Sequence, residues 1–210
     1  MKKLMVLITT ATFLATSAFA GGMVGIKYGT GDLDATAASY VAGGTTYAAE
    51  SGSKDAKYAA IFAEANVMDS PISLGLEYVP FDADISLNGK SSSVSANVGD
   101  YTTIYALAMK ELANVSVYAK IGYSQADIGT IKPSSGNTTI NSNSSELEGM
   151  MYGIGVQSKE LPGGMVARAE YSITDFDDIS VTTTSNGSAS VKKTADGDLT
   201  TLTVSLSKSF

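Results

Sequence analysis

Two short acidic clusters are the first residues whose spacing suits chemistry: Asp82 with Asp84, and Asp175 with Asp177 and Asp178. Paired carboxylates serve as acid and base in glycoside cleavage when a rigid scaffold holds them about 5–9.5 Å apart, and hard cations take oxygen ligands. Both clusters instead fall where apolar patterning gives way to polar stretches, so they read as solvated carboxylates at the bases of loops. Histidine and cysteine are absent. A serine nucleophile therefore lacks the base that activates it near neutral pH, and no disulfide framework holds the fold. No phosphate loop, calcium loop or dinucleotide fingerprint occurs. The expectation is a non-enzymatic protein with no catalytic, cofactor-binding or metal-ligating residue.

A second set of charges has a different spacing. Lys27, Glu64, Glu77, Lys110, Lys120, Arg168 and Glu170 are interleaved with small residues such as Gly25, Gly75, Gly122, Gly155 and Ser205. Each falls in a segment where polar or small residues alternate with apolar ones, the period of a strand with one wet and one greasy face. Eight such segments are expected, at about 22–30, 56–67, 72–82, 101–111, 115–125, 149–158, 165–176 and 199–210. Tyrosine outnumbers phenylalanine by 11 to 6, and glycine, serine, threonine and asparagine are abundant, a composition of strands and turns.

The connections alternate in length. Three are short: residues 68–71, 110–114 and 159–164. Four are long, polar and low in complexity, at about 30–56, 82–101, 125–149 and 176–199. Each long one carries a turn-forming sequence near its middle: Gly43-Gly44, Asn88-Gly89, Ser135-Gly136-Asn137 and Asn186-Gly187. Short turns at one end and long loops at the other is the asymmetry of an outer-membrane barrel.

The lipid hypothesis makes a stronger demand than alternation: one face of every strand must lack charge. Taking every second residue outward gives Val24 to Tyr28, Ala59 to Val67, Ile72 to Tyr78 and Thr103 to Met109. It continues through Val115 to Tyr123, Met150 to Val156, Met165 to Ile173 and Leu202 to Phe210. Only Lys208 is charged among them, in a chain with 17 % charged residues. A lysine at the lipid midplane costs roughly 2–4 kcal/mol and near the interface almost nothing, and Lys208 lies beside the edge. Tyr28, Tyr78, Tyr105, Tyr123, Tyr152 and Tyr171 then form an aromatic girdle at one interface. The charged set faces inward, filling a lumen about as wide as its side chains.

The ends of the chain agree. Lys2 and Lys3, the apolar run Leu4 to Leu14 and Ala18-Phe19-Ala20 read as a signal peptide, residues 1–20, leaving a barrel of residues 21–210. The last strand alternates Leu202, Val204, Leu206 and Phe210 with hydroxyl residues and ends on the aromatic residue. With an even strand number, both ends of the barrel lie on the short-turn, periplasmic side. Net charge is −7 and becomes more negative without the two signal lysines, which argues against nucleic acid or an anionic membrane surface as the partner.

On the export signal, Tyr152-Gly-Ile-Gly-Val-Gln157, Arg168-Ala-Glu170-Tyr171 and the closing strand, the chain resembles the small outer-membrane β-barrel superfamily: the opacity-type proteins, the OmpX-like proteins and the OmpA transmembrane domain. Lys208 departs from the pattern, since an apolar or aromatic residue is common there. The resemblance implies an all-β, eight-stranded antiparallel up-and-down transmembrane barrel of a Gram-negative outer membrane, of the porin family in the broad sense. It implies that the carboxy-terminal signal is read by the outer-membrane assembly machinery. Enzymatic barrels resembling lipid A deacylases or phospholipases use a histidine base, which this chain lacks. The expected role is structural or surface-interacting, carried by the long loops toward a partner the sequence does not name, on an interior plugged by the charged set. A small channel for ions or solutes is the second reading, and a secreted soluble β-sandwich adhesin the third.

Overall fold

The computed structural model describes residues 19–42, 44–68, 70–88, 93–129, 132–133, 138–142, 146–185 and 190–210. Most of the expected signal peptide, and all four central turns in part or whole, lie outside them. The described strands are β1 (Phe19–Ala37), β2 (Tyr40–Ala42), β3 (Thr45–Tyr47), β4 (Glu50–Val67), β5 (Ile72–Val79), β6 (Ala83–Asn88) and β7 (Ser93–Glu111). They continue with β8 (Val115–Ile128), β9 (Lys132–Pro133), β10 (Thr138–Ser142), β11 (Glu146–Ser158), β12 (Met165–Ser185) and β13 (Val191–Ser209).

Eight of these strands close a single antiparallel barrel. Its staves follow chain order β1, β4, β5, β7, β8, β11, β12 and β13, and β13 pairs back onto β1. Closure leaves no edge in this band, which an open sheet cannot achieve. The third reading, a two-sheet sandwich, is thereby excluded. The carboxy-terminal residue completes the seam: Phe210 N–H donates to the Gly22 carbonyl at 3.0 Å, and Gly22 N–H to the Phe210 carbonyl at 3.1 Å.

Beyond the expected strand ends the staves continue upward. β1 and β4 pair as far as Ala37 with Glu50, and β12 and β13 as far as Thr183 with Val191. Much of the long connections is therefore protruding sheet, the continuation that Val181 and Val191 on either side of Asn186-Gly187 lead one to expect. β7 carries a bulge between Gly99 and Thr102, where Asp100 takes a φ of 53°. Aspartate is among the residues that tolerate this left-handed conformation. Its carboxylate accepts the Tyr78 hydroxyl at 2.7 Å, fastening the bulge to β5.

Candidate functional site

The fourth stave, β7, is turned opposite to the sequence expectation. Thr103, Tyr105 and Leu107 are 2 %, 4 % and 1 % exposed and point into the barrel, while Ile104 is 64 % exposed on the outer wall. Tyr105 is therefore not a member of the girdle, and Lys110 stands exposed on the outer face at the short-turn end. The reason is steric and electrostatic. Tyr105 sits directly opposite Gly75 on one side and Gly122 on the other, and a β-carbon at Gly75 would collide with its ring. The two glycines open lumen space that the tyrosine fills. Its hydroxyl donates to Glu64 Oε1 at 2.8 Å, and Lys120 Nζ lies 3.9 Å from its ring centroid. Both faces of residues 102–109 are uncharged, so charge patterning could not choose between them. The glycines on the neighbouring strands were the available signal.

With Lys110 outside, the buried ions balance: Lys27, Lys120 and Arg168 against Glu64, Glu77 and Glu170. Arg168 grips Glu64 with both terminal nitrogens, Nη1 to Oε1 at 2.5 Å and Nη2 to Oε2 at 2.8 Å, and its Nε donates to Gln157 Oε1 at 2.6 Å. This planar fork matches the carboxylate. The guanidinium also lies 5.3 Å from the Tyr118 ring centroid. In the second cluster two ammoniums share two carboxylates. Lys27 Nζ reaches Glu77 Oε2 at 2.5 Å and Glu170 Oε1 at 2.9 Å, and Lys120 Nζ reaches the same atoms at 3.3 and 3.2 Å. Tyr118 donates to Glu170 Oε2 at 2.9 Å. Removed from water, such charges are tolerated only when paired and hydrogen-bonded. Among the described residues, every buried side-chain nitrogen and oxygen has a partner.

Apolar side chains cover the charged layers at both ends. Below lie Met23 and Val166, with Ser207 donating to the Val166 carbonyl at 3.2 Å. Above, Tyr101 and Phe176 meet edge to face at 6.4 Å, and the Tyr101 hydroxyl bonds Ser124 and Thr174 at 3.1 and 3.2 Å.

The outer wall is apolar and bare. Val24, Ile26, Leu74, Ile121, Ile154, Val156 and Ile173 are exposed on it, as are Leu202, Val204, Leu206 and Phe210 of the closing strand. Tyr28, Tyr123, Tyr152 and Tyr171 are exposed there too, and Tyr78 is half-buried on the same face. Lys208 points outward and donates to the Gly163 carbonyl in the turn between β11 and β12.

Above the wall the barrel opens on one side. Pro80 lacks an N–H and follows the last residue of β5, so the β4–β5 ladder stops at Ile61 with Tyr78. Residues 50–60 of β4 therefore pair with β1 alone among the described residues. The Ala38 N–H bond to the Thr194 carbonyl, 2.9 Å, sets the phase of the ladders. It directs even-numbered residues of β1 to β13 and odd-numbered ones to β4. The odd-numbered partners of β4 are then free of β1, and Ser51, Ser53, Asp55, Lys57 and Ala59 aim their N–H and C=O groups at the open side. No sequence pattern reported this edge, because it depends on where a neighbouring strand ends.

The sequence-derived acidic clusters divide. Asp175 stands opposite Asp198, which stands opposite Asp34, three exposed carboxylates in one row across β12, β13 and β1. Asp177 and Asp178 fall in the β12 bulge between Phe176 and Ile179. Among the described residues no three such groups are arranged to hold a metal ion. Partial burial and the neighbouring Asp175, Asp196 and Asp34 carboxylates hold the Asp198 carboxyl above its ordinary range. The folded chain thus binds this proton more tightly than the unfolded one. Stability is gained as pH falls through the raised value and lost as pH rises through it. Asp198→Asn should raise the urea midpoint slightly at pH 7 and flatten its dependence between about pH 4 and 7, because like charges opposite one another destabilise a sheet. An unchanged midpoint across that range would contradict the row's electrostatic effect.

No protein-family model matches this sequence, and no curated protein matches it. Solved structures do. The outer-membrane protease OmpT of Escherichia coli is similar with a TM-score of 0.51 and 11 % identity, over 94 % of this chain and 100 % of that one. The attachment invasion locus protein Ail of Yersinia pestis is similar at 13 % identity and a TM-score of 0.43, over 90 % of this chain and 99 % of that one. Neisserial surface protein A has 14 % identity and a TM-score of 0.41, over 85 % and 95 %. At these identities the likeness to OmpT establishes the barrel fold and nothing of activity.

Proposed function

We propose that the protein is a non-enzymatic integral outer-membrane barrel whose role lies at the cell surface, in the sheet and loops that protrude above the membrane. The apolar outer wall supports embedding in lipid, since a bare apolar surface of this extent is unstable in water. Its exposed tyrosines form the interfacial girdle, without Tyr105. The alternating strand that ends at Phe210 is the segment offered to the assembly machinery. The lumen is a plug: balanced ions, each bonded, between apolar layers at both ends, an arrangement that disfavours a channel. A heat-dependent shift in SDS electrophoresis of membrane fractions is the expected sign of the closed barrel.

The observation that carries the surface role is the open edge of β4, held rigid by the barrel beneath it. Such an edge accepts an extended polypeptide as one more strand, with main-chain hydrogen bonds supplying affinity. Lys54, Asp55 and Lys57 along it guard against indiscriminate pairing, as charges do on natural edges. The test is binding of extended peptides, selected from a displayed library against the folded protein, to cells bearing the barrel or its Ser51→Pro, Ser53→Pro variant. Those substitutions remove two outward N–H donors and leave the ladder to β1 intact. Loss of binding with an unchanged heat shift is expected. Undiminished binding would overturn the edge as the docking site.

A further inference from the structure

An open apolar groove of about 730 Å³ crosses the outer wall from β7 to β13. One side is the cross-strand row Ala108, Ala119, Ile154, Tyr171 and Leu202, each directly opposite the next. The other side begins at Lys110 and Val117, which face one another on β7 and β8. Three alanines, Ala108, Ala119 and Ala169, make the floor, and Ile154, Tyr171 and Leu202 rise beside them. Leu202 stands farther above the lower end of its strand than Ala108 does above the end of its own, so the groove climbs obliquely.

Its dimensions and charge indicate what it holds. Four interstrand steps of about 4.8 Å give a length of roughly 19 Å. With strands tilted at 35–45° the groove gains roughly 12 Å in height, close to one leaflet of a hydrocarbon core about 30 Å thick. At the low end, beside the tight turn between β7 and β8, Lys110 is exposed and forms no ion pair among the described residues. A cation on the outer wall at that depth lies at the headgroup level of the inner leaflet, while the alanine floor continues upward from it as a track for hydrocarbon.

We propose that this groove is a lipid site that retains one anionic glycerophospholipid of the inner leaflet, its phosphate on Lys110 and one acyl chain along Ala119 and Ala169. This rests on the barrel's being embedded in a membrane, so insertion is read out separately. The protein is refolded into vesicles of phosphatidylethanolamine and phosphatidylglycerol, and insertion is scored by flotation and by the SDS mobility shift. It is then extracted in mild detergent, and the lipid that remains bound is measured by mass spectrometry. Phosphatidylglycerol should be enriched about fivefold over the vesicle composition, the effect of one interfacial lysine on an anionic lipid. Lys110→Gln should abolish the enrichment, Lys208→Gln should preserve it, and Ala119→Leu should lower the amount of either lipid retained. Equal retention of the two lipids, or enrichment that survives Lys110→Gln, overturns the lipid site. Failure of the wild-type protein to float with vesicles overturns the membrane reading instead. Ala169→Val replaces Ala119→Leu if the latter does not show the mobility shift, and unchanged lipid retention in a folded groove variant also overturns the site.

Discussion

Replacing Glu64 by alanine is expected to destabilise the folded barrel by about 3–5 kcal/mol, the cost of leaving a buried ion without its partner. Glu64 is 3 % exposed and holds both terminal nitrogens of Arg168 together with the Tyr105 hydroxyl. Removing its carboxylate strands the guanidinium in the lumen, with Gln157 as its remaining hydrogen-bond acceptor among the described residues. It also upsets a balance of three buried cations and three buried anions. The measurement is the urea midpoint of the protein refolded in detergent or vesicles, followed by the SDS mobility shift. A second substitution separates pairing from packing. Glu64→Ala with Arg168→Met removes both charges, and replacing a buried pair by apolar groups is often neutral or stabilising. The double variant should therefore recover much of the loss. Additive losses in the double variant would mean that packing, not charge pairing, dominates at this position.

Ile104→Arg is expected to cost about 2–4 kcal/mol, the penalty of a cation near the lipid midplane. Ile104 lies opposite Leu76 on β5 and Tyr123 on β8 and is exposed on the outer wall. This variant decides the orientation of β7. If the strand were turned as its sequence alone suggests, residue 104 would enter the lumen beside the glutamates, and an arginine there would find acidic partners. Its companion is Tyr105→Phe, which keeps the ring between Gly75 and Gly122 and deletes the bond to Glu64. That loss is smaller, about 1–3 kcal/mol, because both carboxylate oxygens keep their bonds to Arg168. A tolerated Ile104→Arg together with a neutral Tyr105→Phe would reverse the assignment of the two faces.

What the sequence determined by itself follows from a period of two. Six of the eight staves carry charge or glycine on one face and uncharged apolar groups on the other, and β13 sets hydroxyl residues against apolar ones with Lys208 at its edge. A single misplaced phase in those segments would have put Lys27, Glu77, Lys120 or Arg168 into the outer wall, so their orientation was legible residue by residue. The closing strand and the alternation of short and long connections fixed strand number and direction in the same way. β7 was the exception because Thr103 to Met109 carry no charge on either face. Its orientation depends on Gly75 and Gly122, which are distant in sequence and become neighbours only when the barrel closes. Closure likewise decided which carboxylate meets which cation: Arg168 and Glu64 are separated by 104 residues along the chain. It also decided that β4 outlasts β5 and leaves an edge, and that alanines from three strands align into one groove. Face is a local property of a strand, set by side-chain alternation. Register, pairing and edge are properties of neighbours, and those exist only in the tertiary structure.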